Sequence, residues 1–376
     1  MKAKIDRLQY FFMLPNLMYG KAIGITAGIT ARVVGGDAWI SMTIGGFTGT
    51  IIVLVATFLS SKFPEDTIIE YSDKILGRAF SKILGGVLAI YFGLAFSASI
   101  NVITLHLKEY MLTETPYFVL CLVYGLLCVY GVSLGVEVVI RFSIFGFIMT
   151  LLINITMMLG TITDFKFINL RPMLDEGLLT DAKASIYSFG DLTMAILAVG
   201  MLFPMINNKK KTGLISLFSM ISAYLIIIVW PIFETGVLGA DVMKQFVVVC
   251  MQQVRSAQLT RYLPRYELIM VSFFVWGVVV QSTVMLYSAV YCIKQVSGIK
   301  QNLKIILPVS AIFIYLADFM GHDHNKFIQF LKSPWSEISL ALGVGLPLLL
   351  LLVAALRGML GDKNKKKKPK GEKCPT

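Results

Sequence analysis

Long apolar runs recur from one end of this sequence to the other, and they leave little choice of fold. The hydrocarbon core of a bilayer is about 30 Å thick, and a helix needs about 20 apolar residues to cross it. Ten stretches are long enough: roughly 8–30, 38–60, 83–107, 117–135, 141–160, 184–206, 213–236, 266–293, 302–320 and 336–358. None alternates apolar and polar with period two, so each reads as a helix and not as a strand of a membrane barrel. Only 15% of the residues are charged, against about 25% in an average soluble domain. The expectation is an all-α integral membrane protein with ten transmembrane helices. The charged start (Lys2, Lys4, Arg7) runs into a full-length span and not into a short apolar core with a cleavage site, so this first span is expected to be retained.

Charge placement gives the spans an orientation. With the N-terminus inside, the termini and even-numbered connections hold about two-thirds of the 34 Lys and Arg, as the positive-inside rule demands. Both termini are then cytoplasmic. Two connections have patterns of their own. Residues 63–85 place Ile68, Ile69, Ile75 and Leu76 among charges, which predicts an amphipathic helix on the inner face. Residues 238–265 place Met243, Phe246, Val247, Cys250 and Val254 at helical spacing, which predicts a second interfacial helix outside. The basic tail, 361–376, suits anionic lipid headgroups. The net charge of +12 is explained by that tail and the inner connections, so it gives no argument for nucleic acid.

Ten spans divide into two fives, about 8–165 and 180–360. Five is odd, so the second half enters the membrane from the opposite side. Transporters built this way carry substrate sites at interrupted helices near the midplane. Span one holds Pro15, Gly20, Lys21, Gly24 and Gly28. Span six holds Gly190 and Asp191 inside "IYSFGDLT", 186–193. A lysine in one apolar helix and an aspartate in the other make helices one and six the expected interrupted pair, because an intramembrane charge faces a cavity or a partner. Lys21 has two functional readings. Its ammonium occupies a cation's place between spans one and eight, held by carbonyls of the broken helix with Ser282 and Thr283, or it pairs with Asp191 or a ligand carboxylate. Asn101, Tyr187 and Ser188 complete the candidate ligand-binding set with Gly20, Lys21, Gly24, Gly190 and Asp191. His106 is expected at the outer interface.

No nucleophile motif, phosphate loop or paired catalytic carboxylate is visible, so no enzyme and no cofactor is expected. The His-Asp-His of "GHDHN", 321–325, reads as a solvated loop and not as a metal site. Of the five cysteines (Cys121, Cys128, Cys250, Cys292, Cys374) four lie in apolar surroundings as core fillers.

Several stretches carry a family resemblance that spans nearly the whole chain: "FFMLPNLMYGKAIGI" in span one, "GGDAWIS" at 35–41, "KFPEDTIIEYSDKILGRAFSKILG" after span two, "GVEVVIRF" at 135–142, "FINLRPMLDEG" at 167–177, "FGD" with "MLFPMINNKKK" in 189–211, and "RYELIMVSFFVWG" at 265–277. The chain resembles the B subunit of spore germinant receptors, the integral membrane component of Ger-type A/B/C complexes, within the amino acid–polyamine–organocation transporter superfamily. The resemblance implies the five-plus-five inverted repeat of the LeuT-like amino acid permease fold, with a pocket between spans one, three, six and eight. It implies sensing of a small germinant (amino acid, sugar or nucleoside) in the inner membrane of a spore. It also implies an A subunit and a lipoprotein C subunit as partners. An active transporter of the same fold, and an ion or water conduit gated by the complex, remain open alternatives. The family more often has glutamate where this chain has Asp191, and a small or uncharged residue where it has Lys21.

Overall fold

The structure, a computed structural model, describes residues 5–256, 267–299 and 302–360, without the side chains of Lys21, Gly24, Asn302 and Leu303. The basic tail, Cys374 and the end of the outer connection at 257–265 lie outside the described residues. Regular structure among the described residues is helical, apart from one parallel bridge between Ile5 and Ile206.

Asp6 starts the first helix with a capping box, its backbone N–H donating to Gln9 Oε1 at 3.0 Å. Span one comprises α1 (Arg7–Lys21), a π-helical stretch Ala22–Thr26, and α2 (Ala27–Val34). Gly35, at φ +59°, turns the chain into α3 (Ala38–Lys62), which is span two. The short α4 (Ile68–Leu76) precedes α5 (Arg78–Tyr110), the long third span. Span four is α6 (Tyr117–Leu134), and span five is α7 (Val136–Arg141) with α8 (Ser143–Thr161).

The second half repeats the plan. Span six is α9 (Leu178–Ala184) and α10 (Ile186–Leu202), and span seven is α11 (Thr212–Leu238). Between spans seven and eight lie α12 (Ala240–Met243) and α13 (Val249–Ser256). Span eight is α14 (Glu267–Ser297) and span nine α15 (Asn302–Gly321). Span ten runs through α16 (His324–Phe330), α17 (Ser336–Leu340) and α18 (Leu346–Leu356), joined by π-helical stretches at Leu331–Trp335 and Ala341–Gly345. Nine stretches among the described residues are each long and apolar enough to cross a bilayer. One of them, Ala27–Lys62, joins the end of span one to span two, and α1 supplies the start of span one, which makes ten crossings.

The connections sort into two faces as that alternation requires. On one face Ile5 pairs with the 206 strand residue, Arg7 Nε donates to the Asn208 carbonyl at 3.0 Å, Lys209 meets Glu65 at 2.7 Å, and Gln295 Nε2 donates to Thr67 Oγ1 at 3.0 Å. On the other, Arg32 Nε donates to the Lys244 carbonyl at 3.0 Å, Lys166 N to the Gly236 carbonyl at 2.9 Å, and Asp175 N to Asp37 Oδ2 at 3.1 Å. Within the bundle, span one packs on span six, two on seven, three on eight and four on nine. The most extensive of all contacts joins spans three and eight.

Four sequence expectations change here. The break in helix six falls at Ser185, between α9 and α10, and α10 runs unbroken through Gly190 and Asp191. The inner amphipathic helix exists but is not laid on lipid: Ile68, Ile69, Tyr71 and Ile75 are buried under spans three, six and ten. In the connection between spans seven and eight, α13 buries Val249, Cys250, Met251, Gln253 and Val254, so it is a plug set among the span ends and not an interfacial helix. His106 is fully buried behind that plug. Amphipathic spacing shows that a helix has one apolar face, and it is silent on whether protein or lipid covers it.

Candidate functional site

Four small or β-branched residues on one face of α5 (Ala95, Ala98, Ser99 and Val102) open a void in the middle of the bundle. Their three- and four-residue spacing puts them on a single stripe. Opposite them stand Gly20 of span one, Met194 of span six, Val278 and Gln281 of span eight, and Trp335 of span ten. The void is small, with a cavity volume of about 10 Å³. That is room for about one water, so an amino acid enters only if a wall moves.

Two walls are adjustable. Gly20 is required by close approach: a Cβ there would lie 2.1 Å from Gln281 Oε1. Gln281 is buried, its Nε2 faces Met194 Sδ at 3.3 Å, and its Oε1 accepts no hydrogen bond from the described residues. It is a free acceptor pointed at the span-one backbone. Trp335 sits in the first π stretch of span ten, stacked on Tyr91 with ring centroids 4.8 Å apart and planes 4° apart. Its Nε1 donates to the Gly190 carbonyl at 3.3 Å. π-Helical turns inside α-helices cluster at functional sites because they re-aim side chains and leave backbone groups strained or shared.

The two charged candidates are placed as follows. Asp191 is buried, and Thr26 Oγ1, at the end of the span-one π stretch, donates to its Oδ2 at 2.7 Å. Helices one and six are thus tied at the irregular turn of helix one. Lys21 ends α1, one residue after Gly20; its side chain, like that of Gly24, lies outside the described residues.

Of the other candidates, Gly190 adjoins the void through its carbonyl, and the rest face elsewhere. Asn101 Nδ2 donates to the Ala317 carbonyl of span nine at 3.1 Å. Ser188 packs against Gly45 of span two, and Tyr187 belongs to a cluster with Ala31, Ala184 and Met243 toward the outer end. Ser282 pairs with Tyr124 of span four at 3.3 Å, while Thr283 Oγ1 donates to its own helix at the Val279 carbonyl, 2.7 Å away. Span-eight hydroxyls therefore turn from span one among the described contacts. Trp335, Met194, Val278 and the small stripe of span three are site-lining residues that the sequence alone did not mark. The nearest signal for them is the i, i+3, i+4, i+7 run of small residues in an otherwise bulky helix. The "GHDHN" loop is a helix start: Asp323 Oδ1 accepts from the Lys326 N–H at 3.0 Å.

Comparison with known proteins agrees with this geometry. The crystal structure of MhsT in complex with L-phenylalanine superposes with a TM-score of 0.67 at 12% identity, covering 94% of this chain and 99% of that one. The likeness establishes an all-helical LeuT-like transporter fold. The spore germination protein YndE of Bacillus subtilis (strain 168) is 23% identical over 94% of this chain and 97% of its own length. The spore germination protein GerQB of Bacillus cereus is 25% identical over 94% and 96%. Residues 4–325 match the family described as Spore germination protein, and the chain belongs to that family of multi-pass, permease-like membrane proteins.

Proposed function

We propose that this chain is the membrane subunit of a spore germinant receptor, and that it senses a small nutrient in the void between spans one, three, six, eight and ten. The observation that carries this reading is a small-residue face on span three set opposite one uncommitted acceptor, Gln281 Oε1, in a fold that holds L-phenylalanine in MhsT. The walls are otherwise apolar, so the ligand class that fits is a compact amino acid with an apolar side chain. Its ammonium donates to Gln281 Oε1, and its side chain meets Ala95, Ala98, Val102 and Val278. Lys21, next to Gly20, is assigned the fixed positive charge of the site, serving Asp191 or the ligand carboxylate. The ligand shifts the protein toward the conformation it binds better, by no more than its difference in affinity for the two. An A subunit and a lipoprotein C subunit read that shift. The chain sits in the spore inner membrane with both termini cytoplasmic, its halves are inverted repeats of about 8–165 and 180–360, and the tail beyond residue 360 lies on anionic lipid. The chemistry is binding and conformational change, not catalysis.

The test is germination of spores carrying Gln281→Ala, Lys21→Ala or Asp191→Asn against a panel of amino acids, sugars and nucleosides. The expected result is a response to one amino acid class, weakened at least about tenfold in Gln281→Ala, the loss of one hydrogen bond to a charged group. Normal responses from all three variants would remove this void from germinant sensing. Concentrative uptake of labelled amino acid by proteoliposomes of the purified chain would make it a transporter instead.

A further inference from the structure

The strongest anomaly elsewhere in the molecule is Glu234, near the outer end of span seven. It is fully buried, and both carboxyl oxygens accept no hydrogen bond from the described residues. An ionised carboxylate stripped of water and of donors costs several kcal/mol, and a buried charge that is neither paired nor hydrogen-bonded is rare. Its surroundings do not supply a counter-charge among the described residues. Cys250 on α13 is within electrostatic reach. Tyr19 on α1 is a neutral phenol whose hydroxyl accepts from Asn154 Nδ2 at 3.3 Å. The Ala22–Thr26 stretch, α8 and the 3₁₀ turn Phe167–Leu170 also pack on α11 and present no titratable side chain. Asp37, at the start of α3, accepts from Asp175 N, and Asp241 and Lys244 pair with each other at 3.6 Å on the exposed side of α12. Lys21 also lies on α1, its side chain outside the described residues.

The plug α13 packs on span seven and brings Cys250 near Glu234. Gln253 of α13 donates to Thr161 Oγ1 at 3.2 Å, and Arg255 lies over the Tyr110 ring at 4.9 Å. From the same plug, Cys250 Sγ approaches His106 Nε2 at 4.0 Å. The other ring nitrogen, Nδ1, donates to the Val102 carbonyl at 2.7 Å. Val102 is a wall of the central void. His106 thus links a backbone carbonyl of span three at Val102 to Cys250 of α13, whose thiol lies within electrostatic reach of Glu234.

From this geometry we infer that Glu234 is a proton-binding site that controls the outer plug. With the proton on, the neutral carboxyl suits its dry, donor-free place and α13 stays seated. When the proton leaves to the outer solvent, the carboxylate needs water, which reaches it only if α13 lifts. Lifting frees Cys250, removes the thiol from His106 and opens the outer route to the void. Outside access thus depends on pH whichever nutrient the void holds, and the inference does not depend on the sensing role.

Cys250 is a built-in reporter. The full chain in lipid nanodiscs would be treated with a membrane-impermeant maleimide from mildly acid to mildly alkaline pH, with modification of Cys250 followed by peptide mass spectrometry. The charge on Glu234 also acts on the Cys250 thiol, so each rate is first divided by the thiolate fraction of Cys250 measured in that protein, and the ratio of wild type to Glu234→Gln then isolates access. The expected result is a ratio that rises about tenfold, the consequence of one unit of differential protonation, because the glutamine cannot ionise and keeps the plug seated. A ratio flat across the range would overturn the inference. If Glu234→Gln does not accumulate, infrared spectra of the wild type decide. A protonated-carboxyl band that persists at neutral pH and vanishes in step with the rise in Cys250 reactivity supports the site; its absence, or loss out of step, overturns it.

Discussion

Gly20 and Gln281 show what one missing methyl group does. With no Cβ on residue 20, the Gln281 amide reaches the span-one backbone and keeps its oxygen free. Gly20→Ala forces that side chain aside, an overpacking cost of about 1–3 kcal/mol, and removes the acceptor from the void. The expected outcome is lower thermal stability of the purified protein together with a lost germinant response. Gln281→Ala on the Gly20→Ala background should restore the stability and not the response. Trp335→Phe separates two roles of the indole: the ring still stacks on Tyr91, but the hydrogen bond to the Gly190 carbonyl goes, at about 1 kcal/mol. We expect a folded protein with altered nutrient preference in the same germination panel. At this scale the sequence was only partly legible. Gly20, Gly190 and Asp191 stood out because glycine and charge are conspicuous in apolar helices. Asn101, Ser282 and Thr283 were equally conspicuous, yet they bond to spans nine, four and their own helix. Hydroxyl and amide groups in membrane helices satisfy themselves on whichever carbonyl is near, and helical periodicity names a face without naming the helix that it meets.

Caps and irregular turns decide how the elements hold. Thr67 begins α4 with a capping box, and its hydroxyl also takes the Gln295 amide from the end of span eight. Thr67→Ala is expected to cost about 1 kcal/mol and to speed hydrogen exchange through α4 without altering the outer half, which mass spectrometry resolves by peptide. At the opposite side of the membrane, Asp323 caps α16, and the backbone N–H of Lys326, then its ammonium, hold the carboxyl below its ordinary range. A carboxyl so lowered contributes stability above the usual carboxylate range and loses it as pH falls through the lowered value. Protection factors of the amides of 325–327, corrected for intrinsic exchange, should therefore fall in acid, and Asp323→Asn, which caps without titrating, should flatten that dependence. The interruption of helix one was readable from its glycines. Its form, a π turn, was not, and neither were the two π turns of span ten, because a π turn is fixed by the packing around it and leaves little trace in composition.

At the scale of the molecule, the ten crossings were legible from length and hydropathy alone, since the bilayer fixes both. The pairing of each of spans one to four with its counterpart in the other half follows from an odd number of spans per half, but the sequence shows no repeat from which to read it. Orientation rests on charge. The face that gathers the Ile5 bridge, the Lys209–Glu65 pair and the Thr67–Gln295 bonds also carries Lys74, Arg78 and Lys82. The opposite face carries α13 and the Gly35–Asp37 turn. Positive charge near span ends resists translocation, which is the ground for proposing that the first face is cytoplasmic. In a chain whose five cysteines are replaced by serine, a single cysteine at Thr113, in the exposed turn between spans three and four, should react with an impermeant thiol reagent on intact cells. Cysteines at Lys74 or Lys210 should react only after the membrane is opened. The reverse pattern would turn the whole bundle over. It would put the Glu234 plug on the cytoplasmic side, and the void would then take its ligand from within the cell.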